Sequence, residues 1–518
     1  MPSPRPRRPF WSASELAFLR AVVRLLAANP FLPERLDAER DALGPDFVEV
    51  GQVMTNRGTV NENVRRIGAR LGPLLERARQ RLADGVAATA EERALYRDAC
   101  LYLLYDRFDV RFDALLEKGA PRVGFYKEFA DEHARLLGVA GAPEPAPEPL
   151  SLFACFFQIR RAYRFLFTCV LGGSLAAARL RAAVWEAIFT TDLRAYQDGL
   201  FACVAEVPTL ITGPTGTGKE LVAQTLGGSR YLPFNPSTKR FVARHDAHFH
   251  PLNLSALSPS LIESELFGHH KGSFTGALAD TPGWLEEVGP WGTVFLDEIG
   301  ELEEKLQVKL LRVLERRTFQ RLGERKERRF EGRIVSATNR DLAAEMAAGR
   351  FRGDLYYRLC GQLITTPSLR EQLDGAPEEM SHLVRFFAAK VSKPRFAEAL
   401  AEKAERWIAA NLPLDYPWPG NVRELEQCVR SIMMSGRYRP AQASAAPATA
   451  AAAGQGSDDF QRRFDAGALS AEEVLRRYVT VVHAQTGSQR ETARRLGIDR
   501  AQIAAKIDAP LLARLLAR

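Results

Sequence analysis

The stretch "TLITGPTGTGKE" passes from an apolar, strand-like start into a lysine that opens a helix-like run. Gly213 is followed, after four intervening residues, by Gly218 and Lys219. Glycines at this spacing let backbone N–H groups curl around phosphate oxygens, and a following helix N-terminus favours the anion. Lys219 adds positive charge near the β- and γ-phosphates, and Thr215, Gly216 and Thr217 complete the loop. Position 220 is Glu, where Ser or Thr ordinarily supplies a hydroxyl to Mg²⁺. The metal must therefore rely on phosphates, water and acids from elsewhere in the chain.

Those acids stand in "GTVFLDEIGEL", where an apolar run ends in Asp297 and Glu298. Asp297 is placed to hold Mg²⁺ through its water shell, and Glu298 to take the proton from an attacking water. A third apolar run, "GRIVSATN", ends in Thr338 and Asn339. Small polar groups there can sense a γ-phosphate, because ligands of open parallel sheets bind at the carboxyl ends of the strands.

The elements that must position these residues follow from the alternation of short β-rich runs with helical ones from about residue 184. That alternation predicts a parallel sheet covered by helices on both faces. Residues 1–183 read as helices, with apolar residues three and four apart in "ELAFLRAVVRLLA" and "VRRIGARLGPLLERARQRLA". "GAPEPAPEP" is a Pro-rich break within this region, and "FLFTCVLGGSLAAA", residues 165–178, reads as one buried helix. Residues 366–436 are again helical in pattern, 437–458 form an Ala/Pro-rich linker, and 459–518 form a small helical unit.

The chain has 518 residues, too many for one ordinary core. Its 46% hydrophobic and 26% charged content fits a soluble globular protein. The net charge of +8 permits a nucleic-acid partner without demanding one. Six scattered cysteines with no Cys-x-x-Cys pair argue against a disulfide framework and for a reducing cytosol. The basic N-terminus leads into no apolar signal region, and no run is long enough to span a bilayer, so a cytoplasmic location without a membrane partner is expected.

In order along the chain come "TGPTGTGKE", "ESELFGHHKGSFTGA", "GTVFLDEIGEL", "LLRVLERRTFQRLG", "RIVSATNRDL", "FRGDLYYRL", "SLREQ" and "YPWPGNVRELEQ". Together they resemble the AAA+ domain of sigma-54-dependent transcription activators, the bacterial enhancer-binding proteins, over about residues 184–436. The resemblance implies an α/β AAA+ ATPase subdomain over 184–365 and a helical lid over 366–436. It further implies ATP and Mg²⁺ as cofactors and a hexameric ring. In "GSFTGA", residues Gly272, Ser273, Phe274, Thr275, Gly276 and Ala277 would grip sigma-54, with Phe274 as the exposed contact and Thr275 following the nucleotide state. The family usually has Ala at the position of Ser273. Asn253 looks like the family's switch asparagine, which holds the catalytic glutamate until ATP is in place. Arg352 and Arg358 resemble arginine fingers that reach a neighbouring subunit's γ-phosphate, and Arg423 resembles the lid arginine that touches the nucleotide of its own subunit.

Two stretches depart from the family. A Gly-x-Ser turn usually opens this domain near the adenine, whereas here "EAIFTTDLRAY" holds none, so adenine contacts near 186–196 are left unassigned. The run "GGSRYLPFNPSTKRFVARHDAHFH" also differs and carries His245, His248 and His250. Without an acid-rich or Cys partner set, these histidines read as a loop and strand edge rather than a metal site.

"SQRETARRLGIDRAQIAAKID" has a helix-turn-helix layout and resembles the Fis-like domain that ends many of these activators. Gly497 would make the turn and Arg500 open the recognition helix, with Gln502 as a base reader and Lys506 as a phosphate contact. The function expected is an ATP-dependent activator that remodels the sigma-54 RNA polymerase closed complex while bound to promoter-upstream DNA. The alternative is an AAA+ ATPase that remodels a different protein, with the C-terminal helices used for assembly. Residues 1–183 would carry regulation, without a receiver-type phosphoacceptor pattern.

Overall fold

Four strands of the central sheet divide their side chains between two cores, whereas the edge strand that buries Ile364 leaves Leu363 exposed. The strands are β1 (Thr209–Thr212), β2 (Phe249–Asn253), β3 (Thr293–Asp297), β4 (Arg333–Thr338) and β5 (Gln362–Thr365). All neighbours pair in parallel, in the spatial order β5-β1-β4-β3-β2. Leu210, Val294, Leu296 and Ile334 enter one core, and Ile211, Phe295 and Val335 enter the other. This period-2 partition explains why the runs are apolar almost throughout: a parallel sheet is covered on both faces. In this computed structural model the residues described are 9–49, 62–119, 122–139, 148–204, 206–243, 249–374, 376, 378–440, 470–508 and 511–512. His245, His248 and nearly all of the proposed linker lie outside them.

One face is covered by helices Pro259–Phe267, Glu304–Arg316 and Gly353–Leu359. The other carries the phosphate-loop helix, Lys219–Gly228, and beyond it the N-terminal helices. These are α1 (Ala13–Ala27), α2 (Glu34–Leu43), α3 (Glu62–Ala83), α4 (Ala90–Lys118), α5 (Tyr126–Leu137), α6 (Pro149–Cys169) and α7 (Leu175–Phe189). Capping boxes start α1 at Ser12 with Glu15 and α4 at Thr89 with Glu92, which satisfies first-turn N–H groups.

The expected single helix over 165–178 is broken. Residue Gly172 has φ +108°, which a continuing helix does not allow, and the Ser174 hydroxyl caps the first turn of α7. The division drawn at 183 falls inside α7, whose Ala182, Val184, Trp185 and Ile188 share a core with Ile211, Phe295 and Ile364 of the sheet. Burial crosses that line because apolar faces pair in space and not in sequence. Residues Met1–Arg437 accordingly form one compact unit.

The stretch expected to form a lid, 366–436, contains helices Leu369–Leu373, Glu379–Val391, Pro394–Asn411 and Asn421–Ser435. The second unit, Tyr438–Arg518, has helices Ala471–Thr486, Gln489–Leu496 and Arg500–Lys506 around Val479, Val482 and Ile503. Gly497, at φ +63°, ends the middle helix in the left-handed region. No helix among the described residues is long and apolar enough to cross a membrane.

Candidate functional site

Strand β4 lies between β1 and β3, so the carboxyl ends of all three meet at one edge. There β1 runs into Gly213, β3 ends in Asp297, and β4 ends in Thr338 beside Thr212. The loop glycines are required by their surroundings. Gly213 has φ +143°, and a Cβ on it would collide with Thr366. Gly216 has φ +80°, and a Cβ on it would run into the Gly420 carbonyl. Gly218, at φ +92°, turns the chain into the helix.

The Lys219 Nζ donates to the carbonyls of Gly213 at 2.9 Å and Pro214 at 3.2 Å, which holds the ammonium at the mouth of the loop. Burial lowers its pKa, and the nearby Glu298 and Asp297 carboxylates pull the other way. Asp297 shows the reciprocal case: burial raises its carboxyl pKa, while the Glu298 backbone N–H and Lys219 oppose the rise. The buried Thr217 hydroxyl shares a hydrogen bond with Thr366 at 2.6 Å and donates to Pro214 O at 2.8 Å.

Glu298 occupies the left-handed region at φ +57°, and its N–H donates to Asp297 Oδ1 at 3.1 Å. Strain of this kind in a non-glycine residue is held only by an over-determined surrounding and gathers at functional sites. The Asn339 backbone N–H donates to Glu298 Oε2 at 3.3 Å, and its side-chain amide donates to Thr215 Oγ1 at 2.8 Å. One residue thus touches both the candidate general base and the phosphate loop. Asn253 pairs with Asp297 across β2 and β3, but its side-chain oxygen accepts from the N–H and hydroxyl of Ser255. The glutamate is held here by Asn339 and not by Asn253.

Arg423 lies over the loop through its backbone, its N–H donating to Gly216 O at 3.3 Å. The preceding Asn421 was not apparent from sequence. At φ +52° it accepts from Leu369 N–H and donates to Thr215 O, each at 2.9 Å, so it ties lid and loop together. Its signal lay in the quoted "PGNVRELEQ", where Asn is among the few side chains that tolerate the left-handed region. Arg352 and Arg358 stay away from this site: they pair with Asp354 at 2.7 Å and Glu315 at 3.4 Å. Glu220 is exposed and accepts from Gln224 at 3.3 Å along its own helix.

The Gly-x-Ser turn sought near 186–196 lies earlier, at Gly172-Gly173-Ser174. It sits between α6 and α7, where Val170 and Leu171 line a narrow, largely apolar cavity with Gly218, Leu221, Gln372 and Val422. That cavity opens beside the phosphate loop.

The "GSFTGA" segment tops a hairpin in which Gly268–His269 pairs with Thr281–Pro282. Its own backbone closes the tip, with Gly272 N–H donating to Ala277 O at 2.9 Å and Ala277 N–H to Phe274 O at 3.0 Å. Phe274 is 44% exposed and meets the His269 ring edge-on at 4.9 Å. Leu278, next to the segment, is 85% exposed, more so than Phe274, and sequence reasoning did not single it out. A second hairpin, Thr318–Phe319 with Arg328–Arg329, braces the first: Leu322 N–H donates to Gly268 O and Leu322 O accepts from His270 N–H, each at 2.9 Å, and Gly323 packs on Ser273. The Ser273 hydroxyl is buried there without a hydrogen-bond partner.

Residues 194–365 match the family model described as the sigma-54 interaction domain. The central segment is similar to sigma-54 interaction domains. The chain is 39% identical over 307 residues to the transcriptional regulatory protein ZraR of Escherichia coli K12, covering 58% of this chain and 63% of that protein. It is 43% identical over 227 residues to the Nif-specific regulatory protein of Azotobacter vinelandii, covering 44% and 40%. With GlrR of Escherichia coli K12 it shares 41% over 251 residues, covering 47% and 52%. The chain therefore spans less than two thirds of the length of these relatives. Similarity to that domain accounts for the parallel AAA+ sheet and the phosphate loop described above.

Among the described residues no cluster of His, Cys, Asp and Glu could hold a metal ion by itself. In the second unit, Arg500 and Gln502 are exposed and Lys506 is half-buried on the last helix.

Proposed function

We propose that the chain is an ATP-dependent transcription activator that acts on sigma-54 RNA polymerase. The observation carrying this reading is the convergence of Lys219, Asp297, Glu298 and Asn339 at one sheet edge of a segment similar to sigma-54 interaction domains. The loop N–H groups and Lys219 bind the triphosphate, and the cavity bordered by Val170, Leu171 and Val422 takes the base. Glu298 removes a proton from the attacking water, and Asn339 positions Glu298 against the loop. The half-buried Asp297 carboxylate fits a divalent cation, and Mg²⁺ bound there with the phosphates would neutralise charge developing on them.

Arg352 and Arg358 serve a neighbouring subunit, which requires a ring, taken here as a hexamer. Hydrolysis moves the hairpin that carries Phe274 and Thr275, and that movement remodels the closed promoter complex. The C-terminal helices dock on promoter-upstream DNA, with the Arg500–Lys506 helix in the major groove. The N-terminal helices carry regulation, and the protein works in the cytoplasm.

A second reading is favoured by Ser273, whose hydroxyl is buried unpartnered against Gly323 in the most sensitive loop. In that reading the same engine remodels another protein. The deciding test is a sigma-54 pull-down with the whole protein, bare and loaded with ADP plus aluminium fluoride. Binding only in the loaded state, lost in Thr275→Ala, supports the activator. Intact ATP turnover with no sigma-54 binding in either state supports the second reading.

A further inference from the structure

Three arginines come together where α6 meets the amino ends of the sheet strands. Arg161 lies on α6, Arg230 follows the phosphate-loop helix, and Arg333 opens β4. All three are buried, at 1%, 7% and 4% exposure. Arg161 Nη2 donates to the Arg230 carbonyl, and Arg230 Nη1 donates to the Gly292 carbonyl just before β3. The Arg333 backbone N–H reaches that same carbonyl at 3.0 Å. Arg333 Nη2 donates to Ala187 O at 3.1 Å and to Thr209 Oγ1 at 2.9 Å.

These bonds leave much of the donor capacity unused. Arg161 Nε and Nη1 and Arg333 Nε are sealed from solvent without a hydrogen-bond partner. So are the hydroxyls of Ser229, beside Arg230, and Thr293, beside Gly292. No carboxylate among the described residues faces the three arginines. Burial lowers the Arg161 pKa to about 9 and that of Arg333 to about 10. Burial, together with the Arg333 and Arg317 guanidiniums, lowers that of Arg230 to about 9. At each, only Tyr196 pulls the other way. All three therefore keep their charge at neutral pH. Uncompensated buried charge is costly, and a guanidinium can only donate, so the partner this cluster calls for is a negative acceptor.

We propose that Arg161, Arg230 and Arg333 form a binding site for a small inorganic anion of chloride size, buried between α6 and the amino ends of β3 and β4. The tight packing beside the cluster favours a small ion over a tetrahedral oxyanion. A Cβ on Gly228, before Ser229, would stand 2.6 Å from the Phe165 ring, and one on Gly332, before Arg333, 2.6 Å from a Val288 methyl group. The phosphate loop lies at the opposite, carboxyl ends of the same strands, so the two sites are separate. The anion neutralises the cluster and joins α6 to the sheet.

The test uses the whole chain. Its melting temperature is followed as sodium chloride replaces sodium gluconate at constant ionic strength, and a crystal soaked in sodium bromide is examined by anomalous diffraction. A saturable rise of about 2 °C or more is expected, as for any ligand that binds only the folded state. Bromide should sit against the Arg161 and Arg333 guanidiniums. Arg161→Met keeps an unbranched stem, removes one buried charge, and should abolish both the chloride dependence and the bromide peak. A chloride effect of equal size in Arg161→Met would be a general salt effect and would overturn the proposal. So would a melting temperature of the unaltered protein that ignores chloride, or bromide found only elsewhere. The bromide measurement on the unaltered protein decides the matter even if the variant does not fold.

Discussion

The side-chain amide of Asn339 donates to Thr215 Oγ1 at 2.8 Å, while its backbone N–H reaches Glu298. The end of β4 therefore reads the phosphate loop and the candidate base at once. Asn339→Ala removes the side-chain link and leaves the backbone contact. Steady-state ATP turnover should fall by roughly tenfold or more, with a smaller change in nucleotide affinity. Equal turnover in mutant and unaltered protein would remove Asn339 from the mechanism.

Glu298→Gln keeps the shape of the side chain but cannot accept a proton. Hydrolysis should drop by on the order of 100-fold or more, while fluorescent-ATP binding persists. Loss of binding in parallel would mean that Glu298 acts structurally.

Burial raises the folded pKa of Asp297 above its unfolded value. The folded state then holds that proton more tightly, so the linked stability is present in acid and lost as pH rises through the folded pKa. At neutral pH the bare carboxylate costs stability. Asp297→Asn should raise the melting temperature of the nucleotide-free protein at pH 7, and the gain should vanish below about pH 4, the ordinary Asp range. The same variant should lose Mg²⁺-dependent turnover. A melting temperature lowered at pH 7 would contradict the assignment.

Gly323 has φ +76°, and a Cβ on it would stand 2.7 Å from that of Ser273. Gly323→Ala should displace the Phe274 loop, abolishing sigma-54 capture in the ADP–aluminium fluoride state with ATP turnover retained. Ser273→Ala removes a buried hydroxyl that lacks a partner and should stabilise the protein by about 1 kcal/mol in denaturant titration. Normal capture by Gly323→Ala would show that the two hairpins act independently.

Arg500 is exposed at the start of the last helix. Arg500→Ala should weaken DNA binding and, if it contacts phosphate, reduce the slope of log affinity against log salt by about 1. An unchanged affinity and slope would assign those helices to assembly.

Much of the site could be read directly. Gly213, Gly218 and Lys219 lie within seven residues, and their backbone geometry depends on local steric rules that any reader of the chain can apply. Asp297 and Thr338 end apolar runs whose burial on both faces explains their composition. The misplaced Gly-x-Ser turn has a different cause. Gly172–Ser174 precede α7 in the chain, and only the cavity that Val170 and Leu171 share with Gly218 reveals that the turn lies beside the phosphate loop.

Local steric and hydrogen-bonding chemistry in the sequence alone determined the phosphate loop, the apolar strands and the acids that end them. Tertiary structure alone decided which partners those residues meet. It gave Glu298 to Asn339 and not to Asn253, tied Asn421 to Thr215, and seated Phe234 and Phe241 among the rings of α5 and α6. A two-residue strand has no period to read, and a helix face does not name the surface that will cover it. Burial couples residues distant along the chain, so the joining of the N-terminal helices to the ATPase sheet emerges only when both faces of that sheet are filled.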